Sequence, residues 1–195
     1  MKAALFLLAL LISGCSFSHD PQPADKPAKT HTPVPASSSV SREARQLVSE
    51  AQALWENAWS ECLDPQKALD ILDKAIRMDP LDAGALLLRS RALGDLGFLD
   101  DAFDDATKSI RLSPNAEAYA TRGLLLQKRG QSEGAKRDLA YAEKLDPDEP
   151  LIYVFRAAGD FLENENVQGC INLRLACEKG LCEPRQKAET EGLCL

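Results

Sequence analysis

Apolar residues recur along this chain at three- and four-residue steps from about residue 41 onward. That spacing places them on one face of a helix. Leu47, Ala51, Leu54 and Ala58 form the first stripe and predict a helix from Ser41 to about Ser60. Ser41 suits its N-cap, and Glu43 falls in the first turn, where negative charge is favoured. Trp55 and Trp59 stand one turn apart beside the stripe, either as core or groove-edge aromatics or as a platform on which a ligand stacks. A second helix opens at Pro65, since proline suits the first helical turn, and turns Ala68, Leu69, Leu72, Ala75 and Ile76 inward as far as Met78. Helices Ala83–Leu96 and Asp100–Leu112 follow, with Gly97 closing the first of them. A further pair fills 116–147, a degenerate pair fills 150–177, and a short helix over 183–192 folds back.

The stripes repeat. Pro80, Pro114 and Pro147 lie 34 and then 33 residues apart, each preceded by a similar word: Arg77-Met78-Asp79, Arg111-Leu112-Ser113, Lys144-Leu145-Asp146. Twelve residues before each proline stands an alanine, Ala68, Ala102 or Ala135; five before stands Ala75, Ser109 or Ala142. Small residues at those places let two helices cross closely, and the proline stops the second helix. This register resembles the tetratricopeptide-repeat family, whose unit is about 34 residues. The best copy, Ala116 to Asp148, carries Tyr119, Gly123, Gly130, Ala135, Ala142 and Pro147; the copy before it has Leu86 and Ser90 in place of the tyrosine and first glycine. In the fourth, degenerate copy Tyr153 takes the aromatic position and Gly169 and Ala176 the small ones. The expected fold is all-α: a helical-hairpin solenoid of three to four such repeats over 41–178, with a disulfide-closed cap over 179–195.

The first forty residues have a different composition. Lys2 precedes a ten-residue apolar run, Ala3 to Ile12, too short for a permanent membrane helix. It ends Leu11-Ile12-Ser13-Gly14-Cys15, which resembles the bacterial lipobox. The expectation is a signal peptide over 1–14 and a lipidated Cys15; an ordinary secretory signal is the alternative. By the same resemblance, Ser16 after the anchor favours outer-membrane over inner-membrane retention. Residues 15–40 hold Pro21, Pro23, Pro27, Pro33 and Pro35 among polar residues and read as a disordered tether, reaching at most ~75 Å in polyproline geometry. His19 and His31, the chain's two histidines, both lie in it without a cluster of other ligands.

Four cysteines gather at the other end: Cys170, Cys177, Cys182 and Cys194. In an exported protein an even cluster reads as disulfides. Four cysteines allow three connectivities, and nested pairing, Cys177 with Cys182 and Cys170 with Cys194, suits a hairpin in which the short last helix runs back. Zinc is the rival, but no C-x-x-C pair is present. The stretch Ala176 to Gly180 is faintly similar to the cysteine-bridged pairs of Sel-one-like repeats. Cys62 is left over, either buried and reduced or paired between chains. The run Asp100, Asp101, Asp104 and Asp105 lacks the alternation and central glycine of a calcium loop and lies where acids complement a helix dipole. Lys128, Arg129, Lys136, Arg137 and Lys144 read as solvated helix faces.

With a formal net charge of −7 and an exported address, nucleic acid is not an expected partner. No catalytic constellation or phosphate loop is visible, and no cofactor or metal is implied. The resemblance implies a groove lined by the first helix of each pair, holding a protein or peptide. Its facing positions are Asn57, Glu61, Leu87, Arg91, Asp95, Ala120, Leu124, Gln127, Lys128, Val154, Ala158 and Phe161. Family members that grip a C-terminal carboxylate use lysine, asparagine and arginine at set groove positions. Asn57 matches one, whereas Ala53, Leu88, Glu117 and Thr121 occupy the others, so an internal segment or a helix is the better expectation. The function expected is a lipid-anchored, non-enzymatic scaffold that assists assembly of a pilus, secretion or outer-membrane complex. The alternative is an adaptor or regulator of a peptidoglycan-active enzyme.

Overall fold

The computed structural model describes residues 38–55 and 62–194. The described residues form nine helices: α1 (Ser38–Gln52), α2 (Pro65–Met78), α3 (Ala83–Asp95), α4 (Leu99–Leu112), α5 (Ala116–Lys128), α6 (Ser132–Leu145), α7 (Pro150–Leu162), α8 (Asn166–Glu178) and α9 (Glu183–Thr190). Successive pairs pack as hairpins, and α1, α3, α5 and α7 also pack on one another to form an inner row. The described residues contain no strand, and none of their helices is long and apolar enough to cross a membrane.

The three prolines end their helices as the sequence predicts. Asp79, Ser113 and Asp146 leave the helical region with ψ of 89°, 86° and 99°, the conformation a following proline imposes. Each still donates its N–H, at 2.9 Å, to the carbonyl of Ala75, Ser109 or Ala142, the small residue four positions back. The inner-row helices then restart with side-chain caps. Asp82 accepts from Ala85 N, Asn115 from Ala118 N and Glu149 from Leu151 N.

Within hairpins the turn is also periodic. Gly97 (φ 85°) and Gly130 (φ 73°) adopt left-handed backbone, and in the fourth copy Asn164 (φ 63°) takes that place. Around each, one further N–H reaches back over the helix end: Phe98 to Leu93 O, Gln131 to Leu126 O, Glu165 to Asp160 O, at 2.8–2.9 Å. This is the Schellman closure, which satisfies orphan carbonyls. The small residues are buried where the helices meet, Ala68, Ala102, Ala135, Ala75, Ser109 and Ala142 all showing 1% exposure or less.

The first hairpin departs from expectation. α1 begins at Ser38, inside the stretch assigned to the tether, so Ser41 is a helix-interior residue, not the cap. It ends at Gln52, well short of Ser60. The chain turns at Ala53 and Leu54, Leu63 N donates to Leu54 O at 2.9 Å, and Trp55 faces Cys62 in an isolated bridge. Trp55 therefore does not stand on a helix one turn from Trp59, which lies outside the described residues with Ala58. Burial drives the change: Trp55 and Cys62 both enter the core formed by Ala51, Leu72, Leu88 and Ala92. Cys62 is a free, buried thiol, and burial raises its pKa above the ordinary value.

The acidic run is split by the fold. Asp100 and Asp101 lie in the first turn of α4, as the dipole argument has it. Asp105 is instead buried, and Arg89 of α3 grips it bidentately, with Nε to Oδ2 at 2.6 Å and Nη2 to Oδ1 at 3.0 Å. The same pair recurs one repeat later: Arg122 holds Asp138 at 2.7 and 2.9 Å. At the C-terminal end the cysteines pair in the nested pattern, Cys170–Cys194 and Cys177–Cys182, with Cα separations of 5.6 and 4.0 Å. They fasten α9 against α8 over a small core of Ala157, Leu173, Ala188 and Leu193.

Candidate partner-binding face

The predicted groove positions fall on the inner row: Leu87, Arg91 and Asp95 on α3, Ala120, Leu124, Gln127 and Lys128 on α5, Val154, Ala158 and Phe161 on α7. Asn57, Glu61 and the lipidation candidate Cys15 lie outside the described residues.

The polar positions are largely committed within the protein. Asp95 Oδ2 accepts the N–H of Cys62 at 3.0 Å, and Asp95 Oδ1 lies 3.8 Å from Lys128 Nζ. Lys128 also donates to the carbonyl of Gly94 at 3.2 Å and keeps only 11% of its side chain exposed. The expectation of a solvated Lys128 is thereby corrected: its ammonium closes the C-terminal end of α3, where orphan carbonyls favour a cation. Gln127 crosses to α7, its Nε2 donating to Phe155 O at 2.9 Å. Gly159 makes room for it, since a Cβ there would collide with the amide. Gln127 Oε1 is buried without a partner among the described residues.

Arg91 lies with its guanidinium 5.1 Å from the centre of the Trp55 ring and 4.0 Å from Glu117. Burial lowers its pKa, against the pull of Glu117 and Asp95, and 15% of its side chain remains exposed. The contact is a cation–π shelf at the first-repeat end of the row. The Trp55 indole N–H is buried with no acceptor among the described residues.

The apolar positions divide in two. Leu87 and Ala120 are buried, so they form a floor that supports the surface without being part of it. Leu124 and Val154 are half-buried members of one cluster that includes Tyr119, and Ala158 is half-exposed beyond them. Phe161 turns toward the cap. It packs with Leu173 and Leu193, and its ring lies where a Cβ on Gly169 would be, 2.7 Å from the ring edge. Glu149, which the sequence reading did not place at the site, caps α7 in the electrostatic field of Glu117. Burial is the main cause that raises its pKa, and the carboxylates of Glu117 and Asp146 add to it. The contacts of Asp95, Lys128, Gln127 and Arg91 join different hairpins, and that of Phe161 joins α7 to α8, so only the repeat register carried a signal for them.

No protein-family model matches the sequence. Solved structures do resemble it. A Thermus thermophilus protein, TTC0263, described as a thermophilic TPR protein, superposes with a TM-score of 0.64 at 17% identity, over 78% of this chain and 84% of that one. MamA gives 0.53 at 18% identity, over 75% and 81%. YrrB, described as a TPR protein with an unusual peptide-binding site, gives 0.50 at 20% identity, over 70% and 69%. With its hairpins, left-handed turns and buried small residues in register, the described part of this chain has the tetratricopeptide-repeat fold.

Proposed function

We propose that this protein is a scaffold that holds a protein or peptide partner on its inner row while a lipid on Cys15 tethers it in the cell envelope. The observation that carries the binding half is the half-exposed apolar strip of Leu124, Val154 and Ala158, set between polar residues that the fold has already engaged. Apolar side chains left accessible between packed helices suit a segment that brings its own apolar face. The likeness to YrrB, with its peptide-binding site, supports the same reading. Cysteine usage supports the tether: four cysteines pair and one is buried, which leaves Cys15 in the lipobox-like stretch for acylation. Outer-membrane attachment facing the periplasm fits Ser16, and assistance to a pilus, secretion or outer-membrane complex fits a tethered, non-catalytic binder.

The test is a photo-crosslinking residue placed at Leu124 or Val154 in the intact cell, with one at exposed Asp104 of α4 as control. The expected product is a discrete crosslink from the inner-row positions alone, its partner an assembly component by mass spectrometry. A peptidoglycan enzyme in the crosslink favours the adaptor reading instead. Equal crosslinking from Asp104 rules out the inner row as the binding face. Metabolic labelling with an alkyne fatty acid, lost in Cys15→Ala, tests the tether.

A further inference from the structure

Counting charges on the inner row suggests near balance, but accessibility does not. The two cations among the predicted groove positions are drawn toward the fold. Arg91 is 15% exposed against the Trp55 ring, and Lys128 is 11% exposed, spent on Asp95 and the Gly94 carbonyl. Glu117, 4.0 Å from Arg91, still keeps 42% of its side chain exposed. Glu149, whose carboxylate caps α7, stands in the field of Glu117 and of Asp146. A ligand lying on Leu124 and Val154 therefore meets carboxylates at the end of the strip where α5 and α7 begin. The molecule as a whole, at −7, repels an acidic partner as well.

We propose that the occupant of the inner row is a basic segment, with apolar side chains on Leu124 and Val154 and a lysine or arginine reaching Glu117 and Glu149. This rests on the scaffold reading above and adds the sign of the partner. The incoming cation joins Arg91 at Glu117 from the solvent side, whereas Lys128 directs its charge inward. Complementary charge of this kind fixes register and excludes wrong partners more than it adds affinity.

The test uses the full-length protein and three fluorescein-labelled helical probes with one leucine pattern, flanked by lysine, glutamine or glutamate. Fluorescence anisotropy should show the lysine probe binding about tenfold tighter than the glutamine probe, with the glutamate probe weakest and the preference shrinking in salt. Glu117→Gln with Glu149→Gln should abolish most of the preference of lysine over glutamine. Glu117→Lys with Glu149→Lys should reverse it. Circular dichroism of each variant checks that the helices persist. The control is Asp101→Asn with Asp104→Asn, the same charge change on exposed α4 positions; a loss of preference as large there means that net charge alone acts, and overturns the inference. Equal binding of all three probes overturns the inference and leaves the scaffold reading standing. Binding of none removes both.

Discussion

Asp105 is a carboxylate that folding has taken almost wholly out of water, and the Arg89 fork makes that tolerable. Hydrogen bonding to the Asp105 carboxylate is the largest cause holding the Arg89 pKa above its ordinary value. Asp105→Ala leaves a half-buried guanidinium without its main partner and is expected to cost about 3 kcal/mol in urea unfolding. Asp73, the second acid on Arg89, is 39% exposed, and Asp73→Ala should cost under ~1 kcal/mol. Two glutamates should titrate with opposite sign. The Glu143 pKa is lowered, chiefly by its bond from Arg156, so its contribution is present at neutral pH and is lost as acid takes the solution through its folded pKa. Glu149 is raised, so its cost is present at neutral pH and disappears as the pH falls through its folded value toward the ordinary one, about 4.3. Thermal midpoints should therefore fall in Glu143→Gln and rise in Glu149→Gln at neutral pH, and both differences should close in acid. Glu143 was not legible as special in the sequence because Arg156 and Tyr153 come from another helix; the cap bond of Glu149 is local, but the field of Glu117 is not.

At the scale of elements, the hairpin turns give the sharpest comparison. Gly130 has left-handed backbone and open space where a Cβ would stand, so Gly130→Ala tests backbone conformation alone. It should cost about 1 kcal/mol. Asn164→Gly, at the matching turn of the fourth hairpin, should be neutral or stabilising by a few tenths of a kcal/mol, read from denaturant midpoints of the two variants. Prolines and turn glycines were readable because each acts on its own neighbours, through a missing N–H or a permitted φ. The end of α1 was not. Its apolar stripe continues past Gln52, and local propensity has no term for the burial of Trp55 beside Cys62 against α3. Gly159 was equally silent, since its meaning is the Gln127 amide that lies across it.

For the whole molecule, the cap is the part with the most to lose. A solenoid's last repeat lacks a neighbour, and here α9 and two disulfides cover it. Removing the longer bridge with Cys170→Ser and Cys194→Ser frees a loop of 24 residues and should cost on the order of 2–4 kcal/mol. Hydrogen exchange should show the loss spreading from α9 to α7 through Phe161 and Ala157, with α3 and α4 protected as before. Uniform loss over all helices would mean that the array unfolds as one unit, against the nearest-neighbour picture.

The amino-acid sequence alone settled the period, the handover from one hairpin to the next and the small residues at the helix crossings, while the choice among three cysteine pairings fell to the structure. The first three are set by chemistry within one repeat, where a side chain's neighbours are its neighbours along the chain. Tertiary structure decided which charges remain in water. Asp105, Asp95, Arg91 and Lys128 read alike as surface residues, and only helix-on-helix packing, within a hairpin for Asp105 and between hairpins for the other three, withdrew them while leaving Glu117 outside. Burial of a charge depends on what lies across from it, and that is a property of the packed array.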